Sequence, residues 1–196
     1  FAEWKWDGIR VQLVLDEQIK KLYSRSGDNI SESFPDILES VEGNVVLDGE
    51  LLVGKNFQPW PFNNVQKRLN RKKPSRAILN SLPSFIKLYD ILFEGGQDLR
   101  GLPLQERKKL LKTWIEKNSS PRLGWSEIWQ LKSWEDLRQQ KINGSVEFDH
   151  EGVMIKLKKS TYQAGRPKGP WFKWKKDPNF VDAIPVSYTH LRAHET

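Results

Sequence analysis

Strand-like stretches recur along the whole chain, and helix-like ones fall between them without strict alternation. A doubly wound parallel sheet needs a helix after nearly every strand, so this order points instead to an α+β fold of antiparallel sheets flanked by helices. IRVQLVLDEQIKKLYSR (9–25) reads as two strands around a DEQ turn, since apolar residues roughly alternate on either side of it. NVVLDGELLVG (44–54), SFIKLYDILFEG (84–95), EGVMIKLKK (151–159) and WFKWKKDP (171–178) read as further strands. Helices are expected at SFPDILES (33–40), which has a serine cap, and at PFNNVQKRLNRKK (61–73), which has a cationic end. LPLQERKKLLKTWIEK (102–117) carries leucines at helical spacing, and SWEDLRQQKI (133–142) opens on a serine cap and an acidic first turn.

At 196 residues the chain has room for one large domain, or one domain and part of another. Its 37% hydrophobic and 29% charged residues suit a soluble globular protein. No apolar run reaches the roughly 18 residues of a membrane span, and the charged, aromatic start is unlike a signal peptide. Cysteine is absent, which excludes disulfides and thiolate metal sites and is compatible with a reducing cytoplasm. The one Met is not residue 1, so a natural start upstream is expected. The net charge of +7 suggests an anionic partner. Basic residues crowd into QKRLNRKKPSR (66–76) and IKLKKSTYQAGRPKGPWFKWKKDP (155–178). VSYTHLRAHET (186–196) has no clear period and resembles the translation of a sequencing adapter, so it is set apart from the fold as non-native. Its His190 and His194 are not read as a metal pair despite their spacing.

Some of the strands carry groups with chemical potential. In EWKWDGIR (3–10), Lys5 lies between Trp4 and Trp6, ahead of Asp7-Gly8 and Arg10. A nucleophilic lysine must be neutral, yet at an ordinary pKa of about 10.4 only about one in a few thousand is free amine at pH 7. Dry aromatic walls and a second cation such as Arg10 would push that value down. A turn at Asp7-Gly8 would let the chain pass close to a ligand and return Arg10 beside Lys5. An ordinary turn with exposed charges fits the same residues. Asp48 and Glu50 interrupt a buried-type strand, which suits a ribose hydroxyl or hydrated magnesium, and equally a β-bulge with solvated acids. In WFKWK (171–175), Lys173 and Lys175 share one strand face, with Phe172 and Trp174 on the other. Such a pair of ammonium groups asks for a phosphate between them, or else marks a basic edge strand.

EWKWDGIR, YSRSGD, VVLDGELL, FIKLYDILF, HEGVMIK and WFKWKKDP follow one another as the motifs of ATP-dependent DNA ligases do. The chain resembles these enzymes from Ala2 to about Ile184, with the bacterial type the nearest likeness. The resemblance implies an ATP-grasp-like nucleotidyltransferase core at 1–181, with 182–185 starting an oligonucleotide-binding barrel that the sequence lacks. It implies that Lys5 takes AMP from ATP with magnesium, passes it to the 5′-phosphate of nicked double-stranded DNA, and that the 3′-hydroxyl then seals the nick. Glu3 would read the adenine amino group, Tyr89 would stack on the base, and Arg10 would lie near the ribose and phosphates. Glu50 would serve ribose or metal, Glu151 the metal, and Lys173 and Lys175 the α-phosphate. Lys156 would also contact the nucleotide, and Asp7 would shape the turn. Arg25 would hold the nick 5′-phosphate, while Arg68, Arg71, Lys72 and Lys73 would meet the DNA backbone. A monomer working at the bacterial nucleoid in replication or repair is implied, with no membrane partner. Without the barrel's RxDK-type motif, weak self-adenylation and weaker sealing are implied. An RNA ligase or a GTP-using capping enzyme would share this fold, and a non-catalytic nucleic-acid-binding module would need only the basic clusters.

Overall fold

The computed structural model describes residues 1–144, 150–165 and 168–176. In chain order the first half contains β1 (Ala2–Trp6), β2 (Ile9–Leu15), β3 (Lys20–Ser24), α1 (Pro35–Leu38), β4 (Val45–Lys55), β5 (Gln58–Pro59), α2 (Asn63–Leu69) and α3 (Arg76–Ser81). The second half contains β6 (Ser84–Glu94), β7 (Gln97–Asp98), α4 (Leu104–Lys117), β8 (Leu123–Trp125), α5 (Trp134–Gly144), β9 (His150–Lys156) and β10 (Trp171–Lys175). The expected strands and helices all form within a few residues of their sequence bounds. The 182–185 barrel start, the 186–196 tail and its histidines lie outside the described residues.

The strands form two sheets. The larger runs β3-β2-β4-β6-β7, with β5 on β4 and β8 on β6, and the smaller is three-stranded in the order β1-β9-β10. Among the described residues the pairings are antiparallel except β6 with β8. The α+β reading therefore holds. On β2, Val11, Leu13 and Leu15 are buried and their neighbours are not, as the alternation requires. β4 and β6, central in the large sheet, are buried almost continuously because both faces are covered.

The main core joins Val11, Leu13, Leu47 and Leu88 of the large sheet to Ile37 of α1 and to Leu111 and Trp114 of α4. A smaller core packs Ala2 and Val153 of the small sheet against Leu137 of α5, with Trp4, Trp129 and Trp174 around them. The chain passes from one sheet to the other at Asp7-Gly8, between β1 and β2. A Cβ on Gly8 would lie 2.5 Å from the Leu51 carbonyl oxygen. The close approach that demands glycine is thus to β4, and no ligand is needed to explain it.

Candidate active site

Strand register assembles the small sheet's side of the site. Glu3 pairs with Met154, which pairs with Lys173; Lys5 pairs with Gly152, which pairs with Lys175; Lys156 pairs with Trp171. Positions two apart share a face, so Glu3, Lys5, Lys156, Trp171, Lys173 and Lys175 all project to one side. Gly152 has a φ of +136°, and a Cβ there would meet the Trp174 carbonyl oxygen at 2.2 Å. Only glycine lets β10 close on β9 at this row, which sets Lys5 and Lys175 on either side of it. Phe172 on the reverse face is exposed, and Trp174 packs into the smaller core.

The large sheet supplies the facing wall. A cavity of about 280 Å³ lies between the two, bordered by Glu3, Lys5, Lys156, Trp171 and Lys173 on one side and by Arg10, Glu50, Tyr89 and Tyr162 on the other. That volume is close to the lower end of small-molecule pockets, about 300–1,000 Å³. Arg25, exposed on the loop after β3, reaches the rim. Trp4 and Trp6 also border the cavity, but their rings anchor β1. Trp4 meets Trp129 edge-on at 4.4 Å, and Trp6 joins Leu52 and Phe85 while its Nε1 donates to Ser126 Oγ at 3.0 Å.

Asp48 organises the wall of the large sheet. It is fully buried, at a register shift of β4 between Asp48 and Gly49, so the bulge anticipated as the bland alternative is present. Asp48 is not solvated, however. Arg10 donates to Asp48 from Nε at 3.1 Å and from Nη2 at 2.5 Å, and the Tyr89 hydroxyl donates to it at 3.2 Å. Tyr162 completes the group: its hydroxyl accepts from Arg10 Nη2 at 3.0 Å and Gln12 Nε2 at 3.2 Å, and donates to Asp48 Oδ2 at 3.3 Å. Sequence reasoning passed over Tyr162, because nothing in STYQAG (160–165) marks one tyrosine as special.

Lys5 is mostly buried and forms an ion pair with Glu151. Burial pushes its ammonium below the usual lysine value, Lys173 and Lys175 push the same way, and Glu50 and Asp7 oppose them. The direction is the one a nucleophilic amine needs. Burial pushes Glu50 up to about 8, assisted by Asp48 and opposed by Lys5 and Arg10. Among the described residues no cluster of three His, Asp or Glu side chains could hold a metal unaided. Two carboxylates near one lysine would nevertheless suit magnesium if a phosphate bound there, since that ion keeps several waters and binds through one or two carboxylates plus substrate phosphates. Glu50 and Glu151, both beside Lys5, fit that role.

One assignment is corrected. Arg68 is fully buried inside α2, where it donates to Asp36 Oδ1 at 2.6 Å and to the carbonyls of Ser33 and Leu82 at 2.9 and 2.8 Å. It cannot meet a DNA backbone. The helical period explains the error, since Arg68 lies on the same inward face as Val65. Arg71, Lys72 and Lys73 follow the helix and are exposed.

The two-sheet fold and its lysine-centred cavity define a nucleotidyltransferase domain, as in the ligase domain of M. tuberculosis LigD. That structure is 28% identical, has a TM-score of 0.70 and is matched over 89% of this chain and 54% of its own. A mycobacterial DNA ligase D complexed with ATP and MES gives 28% identity and a TM-score of 0.69 over 87% of this chain and 52% of that one. Residues 1–175 match the family described as ATP dependent DNA ligase domain, and the chain belongs to that family. The DNA ligase of Archaeoglobus fulgidus is 35% identical over 189 residues, covering 94% of this chain and 33% of that protein. A probable DNA ligase of Koribacter versatilis is 32% identical over 207 residues, covering 93% of this chain and 36% of that protein. The chain thus spans about a third of the length of these curated relatives.

Proposed function

We propose that this chain is the adenylation domain, residues 1–181, of an ATP-dependent DNA ligase. The observation that carries the reading is Lys5, a mostly buried lysine in a nucleotide-sized cavity with Lys173 and Lys175 on its own sheet face. In the first step the Lys5 amine, having lost its proton, attacks the α-phosphorus of ATP. A phosphorus–nitrogen bond forms, the bond to the β-phosphate oxygen breaks, and pyrophosphate leaves. Lys173 and Lys175 hold the α-phosphate oxygens, Arg10 lies toward the ribose and phosphates, Tyr89 stacks on the base and Glu3 reads its amino group. When bound at Glu50 and Glu151, magnesium would offset charge on the transferring phosphate. AMP then passes to the 5′-phosphate of a DNA nick, held by Arg25, and the 3′-hydroxyl displaces it. Incubation with magnesium and ATP radiolabelled at the α-phosphate tests the reading by covalent labelling, with AMP already on the isolated protein, seen by intact mass, counting equally.

DNA is favoured over RNA because the family match and the curated relatives are DNA ligases; an archaeal ATP-dependent RNA ligase shares only the fold, at 15% identity and a TM-score of 0.50. A bacterial type is supported by the mycobacterial structures, while the curated relatives are mostly archaeal. We place the protein as a monomer in the cytoplasm, at the nucleoid when acting. Among the described residues no helix is long and apolar enough to cross a membrane.

Side chains on the cavity and the surface give separate tests. Tyr162→Phe removes a hydroxyl that steadies Arg10 without opening a hole, so the single-turnover labelling rate should fall roughly tenfold while Tm falls by only about 1–6 °C. Lys72→Ala with Lys73→Ala should weaken binding to a nicked duplex and reduce the log-affinity against log-salt slope by up to about two. An unchanged slope would remove these lysines from the DNA interface.

A further inference from the structure

A second cavity, of about 360 Å³, adjoins the first on the side of the large sheet. Its floor comes from strand register. Arg10 and Gln12 alternate with the buried Val11 and Leu13 on β2, so both project away from the main core. Tyr23 of β3 pairs with Gln12, and Arg25 follows two residues later. Tyr162 stands between the two cavities and borders both, as do Arg10 and Arg25. Its hydroxyl is bonded to Arg10, Gln12 and Asp48, which holds the partition in place.

The lining of this second cavity suits an anion. Among the described residues it contains two arginines and no Asp or Glu. Arg10 is matched by Asp48, but Arg25 has no ion pair or hydrogen bond among the described residues, and the Tyr23 hydroxyl has no partner there either. The carboxylate nearest to Arg25 in sequence, Asp28, is turned to its own loop, where it accepts from Ser24 Oγ at 3.3 Å and from Ser26 Oγ. The same turn, closed by the Ser24 N–H donating to the Asp28 carbonyl at 2.8 Å, leaves Arg25 exposed at the edge of both cavities. An unmatched guanidinium with a hydroxyl donor beside it offers what phosphate oxygens accept.

Displacement at phosphorus brings the attacking atom in and sends the leaving atom out on opposite sides. Lys5 attacks from the small sheet, so pyrophosphate departs toward the facing wall, where Arg10, Tyr162 and the second cavity lie. In the next step an oxygen of the DNA 5′-phosphate bonds to the same phosphorus and the phosphorus–nitrogen bond breaks. Lys5 leaves with the bonding pair and takes up a proton. The 5′-phosphate therefore arrives from the side by which pyrophosphate left. We propose that the second cavity is an anion site used twice: it receives pyrophosphate as ATP is cleaved, and then the 5′-phosphate that takes AMP from Lys5. This rests on the reading of Lys5 as the nucleophile and of Arg25 as the partner of the 5′-phosphate, and it adds pyrophosphate as the first occupant of that place.

The test is calorimetric titration of pyrophosphate into Lys5→Arg, which can neither take AMP nor return it, at rising concentrations of AMP. Pyrophosphate should bind with or without AMP, its affinity falling by no more than about tenfold and levelling off as AMP saturates. No binding, or a decline that continues in proportion to AMP because both anions use Lys173 and Lys175, overturns the proposal. In the same protein Arg25→Ala should weaken pyrophosphate roughly tenfold or more, the scale of a hydrogen bond to a charged group, and Tyr23→Phe a few-fold. No loss for pyrophosphate, or an equal loss for AMP, overturns the proposal. A 5′-phosphorylated thymidine trinucleotide should displace pyrophosphate, and its 5′-hydroxyl counterpart should not. Equal displacement by both, or none, overturns the shared use. A Lys5→Arg protein that binds no AMP overturns the nucleotide reading beneath, which separates the two failures.

Discussion

Lys5→Ala should reduce covalent labelling by ATP to background, a loss of more than about a thousandfold, the scale of removing a nucleophile outright. The chain has 21 lysines, so nonspecific phosphoramide formation elsewhere would persist in this variant, and site-specific labelling would not. The expectation comes from the surroundings of Lys5. Burial, Lys173 and Lys175 all favour its neutral form, and its pairing across Gly152 puts it in line with Lys175. Lys5→Arg separates nucleophilicity from charge, since a guanidinium keeps the positive charge and does not deprotonate. It should bind nucleotide and remain unlabelled. Labelling that survives Lys5→Ala would end the assignment of the nucleophile and with it the proposed first step.

The largest stability loss is expected at Arg107→Met. Arg107 and Asp90 are both fully buried, and Arg107 donates to Asp90 from Nε at 2.8 Å and from Nη2 at 2.9 Å. Its Nη1 also bonds the Leu102 carbonyl and reaches that of Ser160 at 3.4 Å. Burial raises the Asp90 carboxyl, and Arg107 opposes the rise. Methionine would leave a carboxyl in the core with its main partner gone, at a cost of about 3–5 kcal/mol. For a chain of this size that corresponds to a Tm lower by roughly 6–20 °C. The variant's Asp90 would bind its proton more tightly folded than unfolded, so its stability falls as pH rises above about 4. Replacing both partners with apolar residues should recover most of the loss. A Tm within about 2 °C of wild type would show that the pair is not needed for stability.

The Arg107 position also shows where the sequence was hard to read. QERKKLLKTWIEK has a clear helical period, and the helix forms, but within it Arg107 and Lys108 are buried together with Leu104, Leu111 and Trp114. A period identifies a buried face; it does not say that an arginine or lysine on that face will find a carboxylate from another element. Asp90 is 17 residues away in β6, and Glu3 is 105 residues away in β1. Arg68 misled for the same reason: its neighbours in sequence are cationic and exposed, while its partner Asp36 comes from α1. α3 and β8 were also missed. The first is short and mostly polar despite its Ser75 cap, and the second is three residues whose partner is the distant β6.

By itself the sequence determined the local elements and which residues share a strand face, because side-chain alternation follows from backbone geometry. That was enough to put Lys173 and Lys175 on one face. The order of the motifs was enough to indicate the family. Only the tertiary structure decided which buried charges are paired, that Tyr162 joins Arg10 to Asp48, that Arg68 faces inward, and that Glu3 is held from behind by Lys108. Those contacts join residues far apart in the chain, and a buried charge has no local signature. Its position is stable only when the fold brings a partner to it.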